Sequence, residues 1–240
     1  MKVNANHFIP SAQIAIRDPQ LIAAITASTT NSDSARQSAM FEAGREHGET
    51  MRQQAAGAKR RALNHLADLL EQAEAAMQAN EITVLWAEDD AEARQLVLDI
   101  AQQHGTKRVV KSKSMLTEEI ALNPALLAQG IEVYETDLGE YIVQLADEPP
   151  SHIVGPALHM SKETIGNIFV NELGMPPTDN AEEMTRFVRG QLREQFLSAD
   201  MGISGGNFLI AETGTLCLAT NEGNGRMVTT LPPVHVALVG

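Results

Sequence analysis

Apolar and polar positions change their rhythm near residue 80. From Ala58 to Asn80 the residues Ala62, Leu63, Leu66, Leu69, Leu70, Ala73, Ala76 and Met77 recur at helical spacing, with Arg60, Arg61, Asp68, Glu71 and Glu74 between them, which predicts an amphipathic packing helix. Residues 19–80 read as helical throughout, but 31–57 carry little periodic apolar content and predict only a loosely packed helix or arm. After Asn80 short apolar runs alternate with helical segments. Ile82 to Trp86, Val109-Val110, Ile131 to Tyr134 and Ser151 to Gly155 read as strands. Between them come a helix with Leu96, Val97, Ile100 and Ala101 on one face, opened by acids at 88–90, a short helix containing Glu118 to Leu122, and a third begun by Asn123-Pro124. This alternation implies parallel crossovers and an α/β class, a three-layer αβα sandwich with a mostly parallel sheet. The expected division is an N-terminal helical extension over 1–80 and an α/β domain over 81–240.

Two later helices are well signed. Ser161 caps one that buries Ile165, Ile168, Phe169 and Leu173 and stops at Gly174; Asn180, with Glu183 three residues on, suggests a capping box for one burying Met184, Phe187, Val188, Leu192 and Phe196. Phe208 to Ala211 and Leu216 to Ala219 then predict two strands meeting at Glu212-Thr213-Gly214. The final run, Val234 to Val239, reads as a buried strand, and a buried strand at the very end suggests that a further segment follows.

Ligands in open α/β sheets collect at strand ends, so the polar residues there are the chemical candidates. Six of the seventeen glycines lie between Gly202 and Gly225, among Asn207, Glu212, Thr213, Asn221, Glu222, Asn224 and Arg226. Glu212, Glu222 and Arg226 are the candidate catalytic groups, with Glu212 preferred as a base or acyl carrier at a strand end. Lys111, Lys113 and Ser114 follow one strand and could hold an anion, while Glu135 and Asp137 follow the next and should open on the same sheet edge. Together with Asn207, Thr213, Asn221 and Asn224 these form the candidate substrate-binding set. His152 and His159 could act as acid/base groups or ligands, and His235 reads as a satisfied core residue. Gly202-Ile203-Ser204-Gly205-Gly206 matches a nucleophile pattern, but a helix precedes it and a strand follows, the reverse of what that motif needs. No dinucleotide signature and no phosphate loop occurs.

Charge narrows the classes further. Thirty-one acidic against eighteen basic residues in 240 give a net charge of −13, which argues against nucleic-acid binding. No apolar run reaches the length of a membrane span and the start lacks a signal-peptide core, so a cytoplasmic location is expected. The single Cys217 permits no internal disulfide and no cysteine-ligated cluster.

Several runs together resemble a known family. Val110 to Met115 with Glu118-Glu119-Ile120, Glu135 to Ile142 with Gln144-Leu145, Pro150 to Val154 with Pro156-Ala157 and His159, Gly202-Ile203 with Asn207-Phe208, Ala211 to Thr215, and Thr220 to Asn224 are similar to the lactate utilization protein B family. The resemblance implies a LUD domain of the NagB/RpiA/CoA-transferase-like fold, in a protein that oxidises L-lactate to pyruvate beside two partner subunits. It also implies 4Fe-4S clusters in a cysteine-rich C-terminal segment that these 240 residues lack, so no cluster is expected on this chain. Two other readings stay open: a CoA-transferase or sugar-phosphate-isomerase-like enzyme for a small molecule, a carboxylate among the possibilities, and a non-catalytic module whose polar sheet edge docks a partner subunit.

Overall fold

Paired valines set the centre of the sheet. In the computed structural model, which describes residues 7–151, 155–220 and 222–240, strand β1 (Arg108–Lys111) sends Val109 into one apolar cluster and Val110 into another. Successive strand side chains point to opposite faces, so a central strand covered on both sides must be apolar at consecutive positions. β1 is flanked in parallel by β2 (Glu132–Glu135) and β3 (Met201–Ser204), and β6 (Val234–Ala237) pairs in parallel with β3, giving the order β2-β1-β3-β6. Helices α5 (Asp90–Gln103), α6 (Met115–Glu119) and α7 (Leu122–Ala128) cover the face that holds Val109, Val133, Met201 and Ile203. The other face carries α8 (Leu138–Leu145), α9 (Lys162–Leu173), α10 (Ala181–Ser198) and α11 (Asn224–Thr230), packed through Tyr141, Ile142, Phe169, Val188, Phe196 and Val228. The expected three-layer αβα sandwich with a parallel sheet is what the chain forms.

Gly202 fixes the depth of one helix. It is the register partner of Val110, and a Cβ there would collide with the backbone carbonyl of Val228, so α11 seats directly on β3 because that position has no side chain. At the outer edge, α8 completes the hydrogen bonding of β2. The amide of Gln144 donates to the Val133 carbonyl at 2.9 Å and accepts from the Glu135 N–H at 3.1 Å, covering groups that an edge strand would leave open.

The caps follow the sequence closely. Ser161 accepts from the Thr164 N–H at 3.1 Å, and α9 ends at Gly174 in the left-handed region (φ 67°). Asn180 caps α10 by accepting from the Glu182 and Glu183 N–H groups. The expected reciprocal contact is relayed, because the Glu183 carboxylate accepts from Thr178 Oγ1, which in turn accepts from the Asn180 N–H.

Three expectations are corrected. Ile82 to Trp86 forms no strand: the run is irregular, with Ile82, Leu85 and Trp86 exposed, since no neighbouring strand supplies a ladder. The terminal strand β6 lies at the edge of the described sheet with Val234 and Val236 half-buried and His235 and Ala237 exposed, so it is not buried on both faces. The helix expected over 58–80 breaks at His65, which separates α3 (Arg45–Asn64) from α4 (Leu66–Ala79). The strand expected over 151–155 falls mostly on residues outside the described ones.

The chain divides into two units. One comprises the described residues of 85–208 and 217–240 with residues 7–9, and holds the sandwich. The other comprises Pro10–Val84 and Leu209–Leu216. It contains most of α1 (Phe8–Ala15), then α2 (Pro19–Met40), α3 and α4, together with the turn of the hairpin formed by β4 (Phe208–Ile210) and β5 (Thr215–Cys217). Gly214, at φ 61°, lies against the backbone of Ala76 and Met77, and Asn80 donates to the Thr213 carbonyl at 2.9 Å. Among the described residues no helix is long and apolar enough to cross a membrane.

Candidate functional site

Register alone brings the first two candidates together. Lys111 ends β1 and Glu135 ends β2 as its parallel partner, both on the face that holds Val109 and Val133. The Lys111 ammonium meets Glu135 Oε1 at 2.6 Å with the two side chains 1% and 7% exposed, a buried pair rather than a solvated loop. Asn123, near the start of α7, donates to the same oxygen at 2.7 Å. Glu140, in the first turn of α8, is likewise buried, and its Oε2, like Glu135 Oε2, has no hydrogen-bond partner among the described residues. Burial, first, and then the charge of Glu135 push the Glu140 carboxyl up to about 10.

The loops beyond these strands lie side by side. The Ser112 N–H donates to the Ile203 carbonyl, Thr136 donates through both N–H and hydroxyl to the Lys111 carbonyl, and the Leu238 N–H donates to the Ser204 carbonyl. Asp137 caps α8 by accepting from the Gly139 and Glu140 N–H groups at 3.0 and 3.2 Å, and its Oδ1 lies 3.9 Å from the Lys113 ammonium. Asp137, Gly139, Ile142, Pro156, Leu158 and Glu222 line an open depression of about 340 Å³ above this edge. Burial raises the Glu222 carboxyl, and Asp137 raises it further, against the opposing effect of Lys113. Lys113, Asp137 and Glu222 carry one positive and two negative charges when ionised. A further carboxylate entering the depression is therefore repelled unless Glu222 takes a proton.

Other expected residues have structural duties. Ser114 caps α6 by accepting from the Thr117 N–H and packs against Gly205. Asn207 ties the base of the hairpin, its Oδ1 accepting from the Ala219 N–H at 2.8 Å. Asn224 opens α11, and exposed Arg226 donates to Thr220 Oγ1 at 3.1 Å. Glu212 and Thr213 belong to the helical unit, where Glu212 is exposed at the hairpin turn and Thr213 donates to Thr215 Oγ1. Asn221 and His152 lie outside the described residues. His159 bonds to Glu148 Oε2 at 2.8 Å. His235 is satisfied, through Ser204 Oγ at 2.8 Å, but it is exposed rather than part of the core. Ser204 itself is fully buried in β3, which agrees with rejecting it as an exposed nucleophile.

Sequence reasoning missed the inner role of Glu140 and of Asn123. Asp137-x-x-Glu140 has the spacing of a capping box, which reads Glu140 as a helix-end group. Its carboxyl is instead packed against Glu118 and Glu135. One prediction follows from the cap. Asp137→Ala should lower stability by about 1 kcal/mol, whereas Asp137→Asn keeps the cap and removes the charge. Denaturant midpoints check the first effect; a downward shift of Glu222 in a carboxyl NMR titration of the Asn variant checks the second.

The sandwich and its polar edge lie within a segment that matches a described family: the LUD domain covers residues 70–240. The chain belongs to the LUD-domain family. This LUD-domain chain is 44% identical over its whole length to "Lactate utilization protein B" of Bacillus pumilus, of which it spans 50%. It is 43% identical over 94% of its length to "Uncharacterized electron transport protein YkgF" of Escherichia coli, spanning 47% of that protein. Against "Lactate utilization protein B" of Bacillus cereus (strain AH820), identity is 50% over 65% of the chain and 33% of the relative. The LUD-domain chain thus spans about half or less of the length of the relatives it matches. No solved structure matches it.

Proposed function

We propose that this LUD domain serves a lactate utilization protein that, with two partner subunits, oxidises L-lactate to pyruvate in the cytoplasm and passes the electrons on. The observation that carries this reading is the 44% identity to a lactate utilization protein B along the whole chain. The electron-transport name of a second relative points the same way.

On this reading the electron path runs through no cluster on these residues. A 4Fe-4S cluster takes four thiolates, and this chain has only Cys217, half-buried in β5; among the described residues no group of three or more His, Cys, Asp or Glu side chains could hold a metal ion. The proposal therefore assigns the clusters to cysteines outside this chain and routes no step through it. What the domain itself offers is the depression at the strand ends, where Lys113 can attract a small carboxylate and a protonated Glu222 can donate to it. The CoA-transferase-like alternative, which relies on Glu212, gains no supporting contact from the exposed hairpin turn.

Deleting the gene should abolish growth on L-lactate as sole carbon source while leaving growth on pyruvate intact, and the intact gene should restore it. Unchanged growth on L-lactate would refute the reading. Titration of the domain with L-lactate and pyruvate over a range of pH tests the depression separately: binding of either anion should strengthen as pH falls, because the raised Glu222 carboxyl takes up a proton before an ordinary glutamate does.

A further inference from the structure

Beneath the depression lies a charge imbalance. Glu135 is 6% exposed and Glu140 4%, and the cation beside them is Lys111, 1% exposed and bonded to Glu135 alone of the two. Two ionised carboxylates against one ammonium would leave a net negative charge in the interior, a costly arrangement unless something neutralises it. The hydrogen bonding has a matching gap. Glu135 Oε1 already accepts from Lys111 and Asn123, while Glu135 Oε2 and Glu140 Oε2 are buried with no donor among the described residues. Two carboxylates have no hydrogen to share; one carboxylate and one carboxylic acid do.

We propose that Glu135 and Glu140 form a proton-binding site, a carboxyl pair that holds a single proton near neutral pH, with Glu140 as the protonated member donating toward Glu135. The proton removes the surplus charge and supplies the donor that the orphaned oxygens lack. A metal ion is the competing neutraliser, but no such ligand group is present among the described residues. The groups facing Glu140 are Lys111 from β1, Glu118 from α6, and Glu135 from β2, with Asn123 of α7 bonded to Glu135. Of these only Lys111 favours ionisation, and burial and the two neighbouring carboxyls outweigh it.

The pair also bears on the depression above it. Glu140 lies in the first turn of α8, the helix that Asp137 caps, and Asp137 lines the depression with Glu222. Loss of the proton adds a buried negative charge beneath a site that already holds two carboxylates, and so weakens any anion there. This inference stands whether or not the chain serves lactate oxidation.

The sign of the pH effect follows from the weakened acidity of Glu140. The folded state keeps a proton that the unfolded chain, with an ordinary glutamate, releases, so the contribution to stability is fully present below the unfolded value of 4.5 and is lost as pH rises toward about 10. Infrared spectroscopy of the purified protein at pH 8, with carbon-13-labelled glutamate, should show the carbonyl stretch of a protonated carboxylic acid that shifts in heavy water. Glu140→Gln, a neutral isostere that can donate in its place, should remove the band, fold, and flatten the fall of the thermal midpoint between pH 6 and pH 9. Absence of the band in the wild type overturns the proposal, as does a band that persists in Glu140→Gln. A wild-type midpoint that instead follows the concentration of sodium or magnesium, with no band, shows a cation in place of the proton. If Glu140→Gln does not fold, the labelled band in the wild type at pH 8 decides alone.

Discussion

Lys111→Met is expected to destabilise the fold by about 3–5 kcal/mol, the cost of leaving one member of a buried ion pair without its partner. For a domain of ordinary stability, about 5–15 kcal/mol, that is a large fraction of the total. The size follows from the geometry: the ammonium sits 2.6 Å from Glu135 Oε1 with both side chains shielded from water, so solvent cannot take its place. Lys111→Met combined with Glu135→Leu should recover part of the stability, since no buried charge is left unpaired, although Asn123 loses its acceptor. Urea midpoints of the single and double variants check both statements, and a single variant close to wild type would show that the pair is far wetter than the structure has it.

Gly202→Ala is the second large effect. The added methyl group meets the Val228 carbonyl, which is backbone and cannot rotate away, so either α11 lifts from β3 or the strand bends. Forcing one methyl group into a packed interior costs about 1–3 kcal/mol, and a backbone obstacle puts this case at the upper end. The same movement should reach the depression, because Glu222 lies two residues before α11. Besides a lower thermal midpoint, the variant should show the Glu222 carboxyl returning toward its ordinary value as it gains water. A stable protein with Glu222 unmoved would contradict the close seating of α11.

The sequence was most readable where the cause is local. Ser161, Asn180 and Gly174 mark helix ends because a side chain or a left-handed residue satisfies nearby backbone groups, and those contacts span only a few positions. Lys111, Lys113, Glu135 and Asp137 were legible as a group for a different reason: parallel strands bring their C-terminal ends to one edge, so strand-end position predicts neighbourhood. The failures depend on topology. Ile82 to Trp86 has the composition of a strand but no ladder to join, and the position of β6 at the edge of the described sheet cannot be read from Val234 to Val239 alone. Glu140 was hidden because its spacing from Asp137 is equally that of a helix cap, and only the packed sheet end turns its carboxyl inward. Glu222, Lys113 and Asp137 were all named as candidates, but the sequence reading centres on Glu212, whereas the electrostatic neighbours of Glu222 are Asp137 and Lys113.

The hairpin turn carries a consequence for synthesis. Residues 10–84 leave the ribosome early, yet Leu209–Leu216 completes their unit, and the bond between Asn80 and Thr213 closes a separation of 133 positions. At translation speeds of about 5–20 residues per second, the early helices wait roughly 10 s for that last piece. During that interval the backbone of Ala76 and Met77, where Gly214 later lies, is open to other chains. Nascent chains halted before residue 209 should therefore hold their helices only loosely and engage chaperones, while chains halted after 216 should resist proteolysis in the same region.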